Sequence, residues 1–382
     1  MPGRYLARVI GFALLAASVA GCVEPAPPGA VHVLRADAMV NGVLERYIDR
    51  GIDRAEREQA AAVVVLIDTP GGAIDAMRGI VSRIETAEVA VITFVSPPGA
   101  QAASAGTFIA MAGDVAAMAP NTTIGAATPV GAAGEDIEGD LGRKVENDTV
   151  AFARGVAELR GRNAGWAEAA VREAVSATPS EAVDQDVVDL VATSLPALLE
   201  ELDGRQVTLL SGGTVTLALD GAELVVNERN VYERVLGIIS DPVVVSVLIL
   251  IGLSGLAIEF FNPGLFLPAV VGITATIASF LGVGTLLPLE AAIAFLALGI
   301  ALFVLEAFVT SGGILGSMGA VAIVLGLSIL VGQGTTDLHW RGVLMVLGLL
   351  ALAITLMAGA AFALIARGYL APTEPRHDEP LL

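Results

Sequence analysis

Ala61-Ala62-Val63-Val64-Val65-Leu66-Ile67-Asp68-Thr69-Pro70-Gly71-Gly72 is the stretch from which the fold follows. Its first seven residues are apolar with no polar alternation, the pattern of a strand covered on both faces. Asp68 to Gly72 breaks the run with turn residues, and Ala73 to Glu85 reads as a helix. A buried strand, a Gly turn and a helix form the repeating unit of a parallel α/β sheet. The neighbouring sequence repeats it. Val31 to Leu34 is β-like, and Ala38 to Ala62 is amphipathic, with Val43, Leu44, Tyr47, Ile48 and Ile52 at helical spacing. Val89 to Val95 is a second buried strand, followed by a Pro-Gly loop and a small-residue helix from about Ala103 to Ala112. Met118 to Ile124 forms short extended pieces, Gly142 to Leu159 and Gly165 to Ala174 are helices, and Val187 to Val191 is a last strand. The prediction is a layered α/β domain over residues 31–204.

Further along, the pattern changes. Gln206 to Leu210, Thr214 to Leu219 and Glu223 to Val226 have strand character between Ser-Gly-Gly and Asp-Gly turns, which predicts a β connector over 205–241. That connector ends in a short helix, Val231 to Ile239, at a membrane surface. Five long apolar stretches follow within 242–370: Val243–Phe261, Leu265–Leu287, Leu289–Phe308, Gly313–Val331 and Val343–Ala366. Each approaches the roughly 20 residues that cross a bilayer, so an all-α polytopic membrane domain of about five helices is expected, with four or six open. Residues 371–382 are a short tail. Glu259 and Glu306 end the first and third stretches in similar phrases 47 residues apart, which hints at a duplicated helical pair. Near the interface such carboxylates cap helix ends or reach water, and this reading is preferred to transport.

The N-terminus has Arg4 and Arg8, an apolar run from Val9 to Ala20, and the ending Val19-Ala20-Gly21-Cys22. This reads as a signal peptide over 1–22 with a lipobox-like end, lipidated at Cys22. An ordinary signal peptide and an uncleaved anchor are the alternatives. A Pro-rich tether over 23–30 follows. All three readings put the α/β domain outside the cytoplasm of a bacterial inner membrane. Arg367 and Arg376 agree weakly with a C-terminus inside.

Composition narrows the chemistry. The chain has 382 residues, 55% hydrophobic and 16% charged, with a net charge of −19. A soluble chain averages about 25% charged, and so acidic a protein is no nucleic-acid binder. The single Cys22 excludes a disulfide framework within one chain and a thiolate zinc site. Three scattered histidines, His32, His339 and His377, offer neither metal-ligand spacing nor an evident catalytic base, and no cofactor or metal is called for.

A serine with a lysine base remains. Of 21 cationic residues, Lys144 is the one lysine. A lysine can lose its proton when desolvated, whereas an arginine cannot. Chance survival of one lysine is the competing explanation. Ser104 stands in Gln101-Ala102-Ala103-Ser104-Ala105-Gly106-Thr107 at the start of a helix, where the dipole favours a nucleophile, although a tightly packed helix would look the same. Gly71 and Gly72 are candidate oxyanion donors, although many strand-to-helix turns use Gly-Gly.

Taken in order, Leu66-Ile67-Asp68-Thr69-Pro70-Gly71-Gly72, Ala102-Ala103-Ser104-Ala105-Gly106-Thr107, Asn121-Thr122-Thr123-Ile124-Gly125-Ala126 and Lys144 resemble the membrane-bound serine proteases of the NfeD family, the stomatin operon partner proteins. The resemblance runs from about Val31 to Val331 and includes Gly252-Leu253-Ser254-Gly255-Leu256. It implies a ClpP/crotonase-like α/β protease domain, Ser104 as nucleophile, Lys144 as general base, and Gly71 and Gly72 as oxyanion donors. It also implies hydrophobic segments of a stomatin-like membrane protein as substrate, and a homodimer or higher oligomer. Long members carry a C-terminal OB-type domain, for which the 15 residues after Arg367 leave no room. The acidic run Glu135, Asp136, Glu138 and Asp140 reads as a solvated flexible loop. A non-enzymatic scaffold organising stomatin-like proteins in the bilayer is the competing function.

Overall fold

The structure is a computed structural model and describes residues 26–131, 134–262, 267–284, 289–308 and 314–333. In chain order the first elements are β1 (Val31–Ala36), α1 (Gly42–Arg57), β2 (Ala62–Ile67), α2 (Ile74–Glu85), β3 (Val91–Val95), β4 (Gln101–Ala103), α3 (Ala105–Ala112), β5 (Val115–Met118) and β6 (Thr123–Gly125). Next come α4 (Gly139–Leu159), α5 (Ala164–Arg172), β7 (Ser176–Ala177), α6 (Pro179–Asp184), β8 (Leu190–Val191) and α7 (Leu195–Leu202). The domain closes with β9 (Gln206–Thr208), β10 (Thr214–Thr216) and β11 (Leu224–Val226).

Six strands form one parallel sheet in the order β11-β1-β2-β3-β5-β8. The unbroken apolar run of β2 has the cause expected of it. Val63, Val65 and Ile67 face a core shared with Tyr47, Ile48 and Ile52 of α1 and Met77, Ile80 and Ile84 of α2. Ala62 and Val64 face a second core with Ile92 and Phe94, closed by Leu198 and Leu202 of α7 and by Val207, Leu209, Leu217 and Leu219. Successive side chains thus leave water on opposite faces.

That second core moves one predicted boundary. The stretch from 205 read as a separate connector belongs to the α/β domain. Its hairpin of β9 and β10 roofs the second core, and β11 pairs in parallel with β1, Val31 opposite Leu224 and Val33 opposite Val226. The stretch looked independent because β9 and β10 pair with each other, while the partner strand of β11 lies almost 200 residues earlier.

Helix α8 (Val231–Ile239) begins at the predicted position, capped by Asn230 and Glu233 in a reciprocal box. Helices α9 (Pro242–Phe261), α10 (Leu267–Gly284), α11 (Leu289–Phe308) and α12 (Ile314–Gln333) coincide with the first four apolar stretches. They pack as two hairpins through small residues. A Cβ on Gly255 would lie 2.5 Å from the Pro268 carbonyl oxygen, and one on Gly299 2.7 Å from that of Gly319. Glu306 accepts the Gly316 N–H at 3.0 Å near the start of α12, a helix-end role rather than a mid-membrane one. The side chain of Glu259, the fifth stretch, residues 1–22 with Cys22, and the tail lie outside the described residues. Among the described residues no single helix is long and apolar enough to cross a membrane. The bent pair Val231–Ile239 with Val243–Gly255 meets that test by length and composition.

Candidate active site

The site grows out of the end of β2. Past Ile67 the chain runs beside β4: Thr69 N–H donates to the Gln101 carbonyl at 2.7 Å, and Ala103 N–H to the Thr69 carbonyl at 3.1 Å. On its other side it meets the loop before α1, where Val40 N–H donates to the Gly71 carbonyl and Ala73 N–H to the Val40 carbonyl, each at 2.8 Å. With Gly71 and Ala73 bonded to Val40, the amide of Gly72 between them faces the opposite way. Both glycines are required by space. A Cβ on Gly71, whose φ is +112°, would lie 2.5 Å from Ser104 Cβ and 3.0 Å from Ser104 Oγ, and one on Gly72 would collide with the Val40 carbonyl.

Ser104 is the residue between β4 and α3, half-buried, with φ +51° and ψ −117°. Positive φ at a serine is costly unless its surroundings enforce it, and here they do. Its N–H donates to the Gly125 carbonyl at 3.0 Å, and its carbonyl accepts Thr107 N–H at 3.0 Å. Thr107 Oγ1 accepts Gly125 N–H at 3.1 Å and lies 3.0 Å from the carbonyls of both Ala102 and Gly125. The Ser104 hydroxyl makes no capping bond to the helix amides. It is therefore spared the usual duty of an N-cap serine and stands at the positive end of α3. The Ala105 N–H, first in the helix, has no intrahelical acceptor.

The two predicted oxyanion donors are not equivalent. Gly71 N–H donates to Thr69 Oγ1 at 3.1 Å, and that hydroxyl donates to the Ala38 carbonyl at 2.7 Å. The Gly71 amide is thus already used inside the turn. The Gly72 N–H, turned away from Val40, and the Ala105 N–H, first in α3, have no such partner among the described residues. Sequence reasoning overlooked Ala105, and also Thr69 and Thr107, whose buried hydroxyls hold the two turns. A threonine three residues after the N-cap serine was the available signal.

Lys144 lies in the second turn of α4 and is exposed. The packed face of α4 begins later, at Thr149 and Val150. Carboxylates stand at both positions that helical spacing offers Lys144, Asp140 and Asp148. Each is paired elsewhere, Asp140 with Arg143 and Asp148 with Arg78. Among the described residues no hydrogen bond joins Lys144 to Ser104, so the fold brings Ser104, Gly71 and Gly72 together and leaves Lys144 at the surface. The acidic run beside it is exposed as expected, but it is not a loop throughout: Glu138 is the N-cap of α4 and Asp140 lies in its first turn. Its start is also an ordered turn, with Val130 bridged to Asp136 and Gly131 N–H bonded to the Glu135 carbonyl at 2.7 Å.

His32 is fully buried in β1, with Nδ1 3.2 Å from Asn227 Nδ2 and Nε2 3.3 Å from Glu58 Oε2. Burial lowers its pKa, against the opposing pull of Glu58. It is a core histidine. His339 and His377 lie outside the described residues.

Comparison with known proteins agrees with this geometry. Residues 30–197 match the NfeD1b N-terminal domain and residues 243–366 the NfeD integral membrane domain. Over 337 residues the chain is 32% identical to the membrane-bound protease PH1510 of Pyrococcus horikoshii, covering 87% of this chain and 76% of that one. This chain belongs to the NfeD family. The membrane protein NfeD1b of Bacillus subtilis is 27% identical over 333 residues, 87% of this chain and 74% of the other. Two solved structures of the 1510-N membrane-bound stomatin-specific protease align with this NfeD protein. A mutant in complex with a substrate peptide has a TM-score of 0.52 at 34% identity, covering 55% of this chain and 97% of that one. A second mutant has a TM-score of 0.50 at 35% identity, covering 53% and 99%. The NfeD protein is thus a membrane protein with an α/β domain resembling that of the 1510-N protease, followed by a helical membrane domain, and its kinship supports a protease function.

Proposed function

We propose that this protein is a membrane-anchored serine endopeptidase with Ser104 as nucleophile and Lys144 as general base. It would cleave hydrophobic segments of a stomatin-like membrane protein on the extracytoplasmic side. The observation that carries the reading is the backbone of Ser104. It is held at positive φ on the first turn of a helix, hydroxyl uncommitted, against a glycine that admits no side chain. In the two crystallised 1510-N mutants one lysine and one serine are replaced by alanine, and their separation is within one residue of that between Ser104 and Lys144.

In the reaction, neutral Lys144 Nζ takes the Ser104 hydroxyl proton while Oγ adds to the scissile carbonyl carbon. The oxyanion is met by Gly72 N–H and Ala105 N–H, dipoles fixed before the charge develops. Collapse breaks the C–N bond, and the Lys144 proton leaves with the amine. A water, deprotonated by Lys144 Nζ, then adds to the acyl carbon, and collapse breaks the C–Oγ bond as the proton passes from Lys144 back to Ser104 Oγ, freeing the acid product. Lys144 is exposed without substrate. An apolar segment lying over Ser104 and Lys144 would supply the missing desolvation, which favours the neutral amine and ties the base to hydrophobic substrates.

The test uses the full chain and an apolar peptide. Ser104→Ala and Lys144→Ala each lower cleavage by about 10³-fold or more, as for residues that act as a unit. Lys144→Arg is equally inactive because a guanidinium keeps its proton. Cleavage retained in Lys144→Arg removes the base from the mechanism. The exposed, unlinked Lys144 is the one observation on the side of a scaffold. Wild-type protein that binds a stomatin-like partner without cleaving it, with the same affinity after Ser104→Ala, would establish that role instead.

A further inference from the structure

Helix α8 has two faces of opposite character. Its back is sealed on the protease domain. Glu233 is 4% exposed, and its carboxylate accepts Arg50 Nε at 2.8 Å, Arg50 Nη2 at 2.6 Å and the Asn230 N–H at 2.8 Å. Leu236 is buried one turn on. The front has no partner among the described residues. Val231, Val235 and Ile238 are 72%, 51% and 62% exposed at i, i+4 and i+7, a single stripe along the helix. Tyr232, which packs against Arg46, and Arg234, paired with Glu228, flank it, so the stripe is bordered by polar side chains with apolar stems.

The next helix sets the orientation. Across Ser240 and Asp241 the chain turns by 75° into α9, the first helix of the integral membrane domain. If α9 runs along the bilayer normal, α8 lies close to the plane of the bilayer. We propose that the front face of α8 rests in the lipid interface, with Val231, Val235 and Ile238 entering the boundary between headgroups and acyl chains. An amphipathic helix in that position buries its apolar face by about 5–10 Å. The occupant of the stripe is therefore lipid, reached by continuity with the membrane domain. The bent pair does not act as one broken span. Drawing α8 into hydrocarbon would carry with it Glu233, Arg50 and the polar helix α1 against which it is packed, which the cost of desolvating charge opposes. The Arg50–Glu233 pair instead locks the protease domain to a helix lying on the bilayer, which gives the domain one fixed stance.

The test uses the full chain carrying Cys22→Ser, spin-labelled in turn at Val231→Cys, Val235→Cys and Ile238→Cys, with Glu228→Cys as the aqueous control. The proteins are reconstituted in vesicles of phosphatidylethanolamine and phosphatidylglycerol. The stripe labels are expected to show an oxygen-to-nickel collision ratio severalfold above that of the control, with all variants keeping the unlabelled thermal midpoint. Three positions are used so that one variant failing to fold leaves two that answer. Nickel access at the stripe equal to that at position 228 overturns the proposal. So does exclusion of both reagents with spin–spin broadening between labels, which would assign the face to a second copy of the chain.

Discussion

The serine side and the lysine side of the site are built in different ways. Ser104 and the Gly71–Gly72 turn are pinned from several directions at once, by β4, by Val40, by Gly125 and by the hydroxyls of Thr69 and Thr107. Lys144 projects from the opening turns of a helix whose packed face begins five residues later, and both nearby carboxylates are paired with arginines. The serine half is therefore preorganised by the sheet, and among the described residues Lys144 makes no ion pair. A protease that must await an apolar segment gains from this division. On the proposed mechanism the oxyanion donors would not need to move, while Lys144 would act only once substrate covers it.

Gly72→Ala strains this comparison hardest. The new Cβ would meet the Val40 carbonyl, which is backbone and cannot swing aside. The turn must move, and the variant is expected to lose on the order of 2–4 kcal/mol of stability together with nearly all activity. Lys144→Ala is the counterpart, with equal loss of activity but a thermal midpoint within about 0.5 kcal/mol of wild type, as for surface substitutions generally. Paired denaturation and peptide-cleavage measurements check both. Equal destabilisation in the two variants would erase the distinction between a built half and an open half.

Thr107→Val is expected to act more mildly and on the serine side alone. It deprives the buried Gly125 N–H of its acceptor and loosens the turn that sets Ser104. A buried donor left unpaired costs about 1–3 kcal/mol, and displacement of a nucleophile by an ångström can cost roughly 10²-fold in rate. The expected result is a fall in kcat larger than any change in KM, with Thr107→Ser restoring most of it. Lost stability with kcat intact would make the hydroxyl structural only.

The contrast also explains what the sequence could disclose. Strands β2 and β3 and helices α1 and α2 were legible because each bears its own signal, an unbroken apolar run or apolar residues at helical spacing, and both cores use those signals directly. Strand β4 has no such signal. Gln101 and Ala102 read as part of the loop and Ala103 as the start of a small-residue helix, and the three become a strand only because Thr69 and β6 pair with them. That pairing delays the helix to Ala105 and leaves Ser104 at the junction. The inequality of Gly71 and Gly72 was hidden for the same reason, since it depends on Val40 and Thr69, which lie far apart in the chain. Lys144 was found by residue type, and residue type is silent about burial.

The smallest expected effect separates the two halves by pH. Glu45 on α1 packs against Gly79 of α2, half-buried, and burial pushes its carboxyl up to about 7, with Asp49 and Asp75 adding to the shift and Arg46 opposing it. An acid whose pKa is higher folded than unfolded binds its proton more tightly in the native state. Stability is therefore greatest below the unfolded value of about 4.5 and falls as pH rises towards 7. Glu45→Gln should remove that slope, raising stability at pH 8 by on the order of 1–2 kcal/mol after allowance for solvent screening, with little change at pH 4. Denaturation midpoints across pH 4–8 measure it. Helix α1 follows directly from the Val40 loop, so this titration belongs to the serine side and should leave the pH dependence of the cleavage rate unchanged. If Glu45→Gln shifts the pH dependence of cleavage as much as that of stability, the two halves titrate as one unit, and the independence argued for them fails.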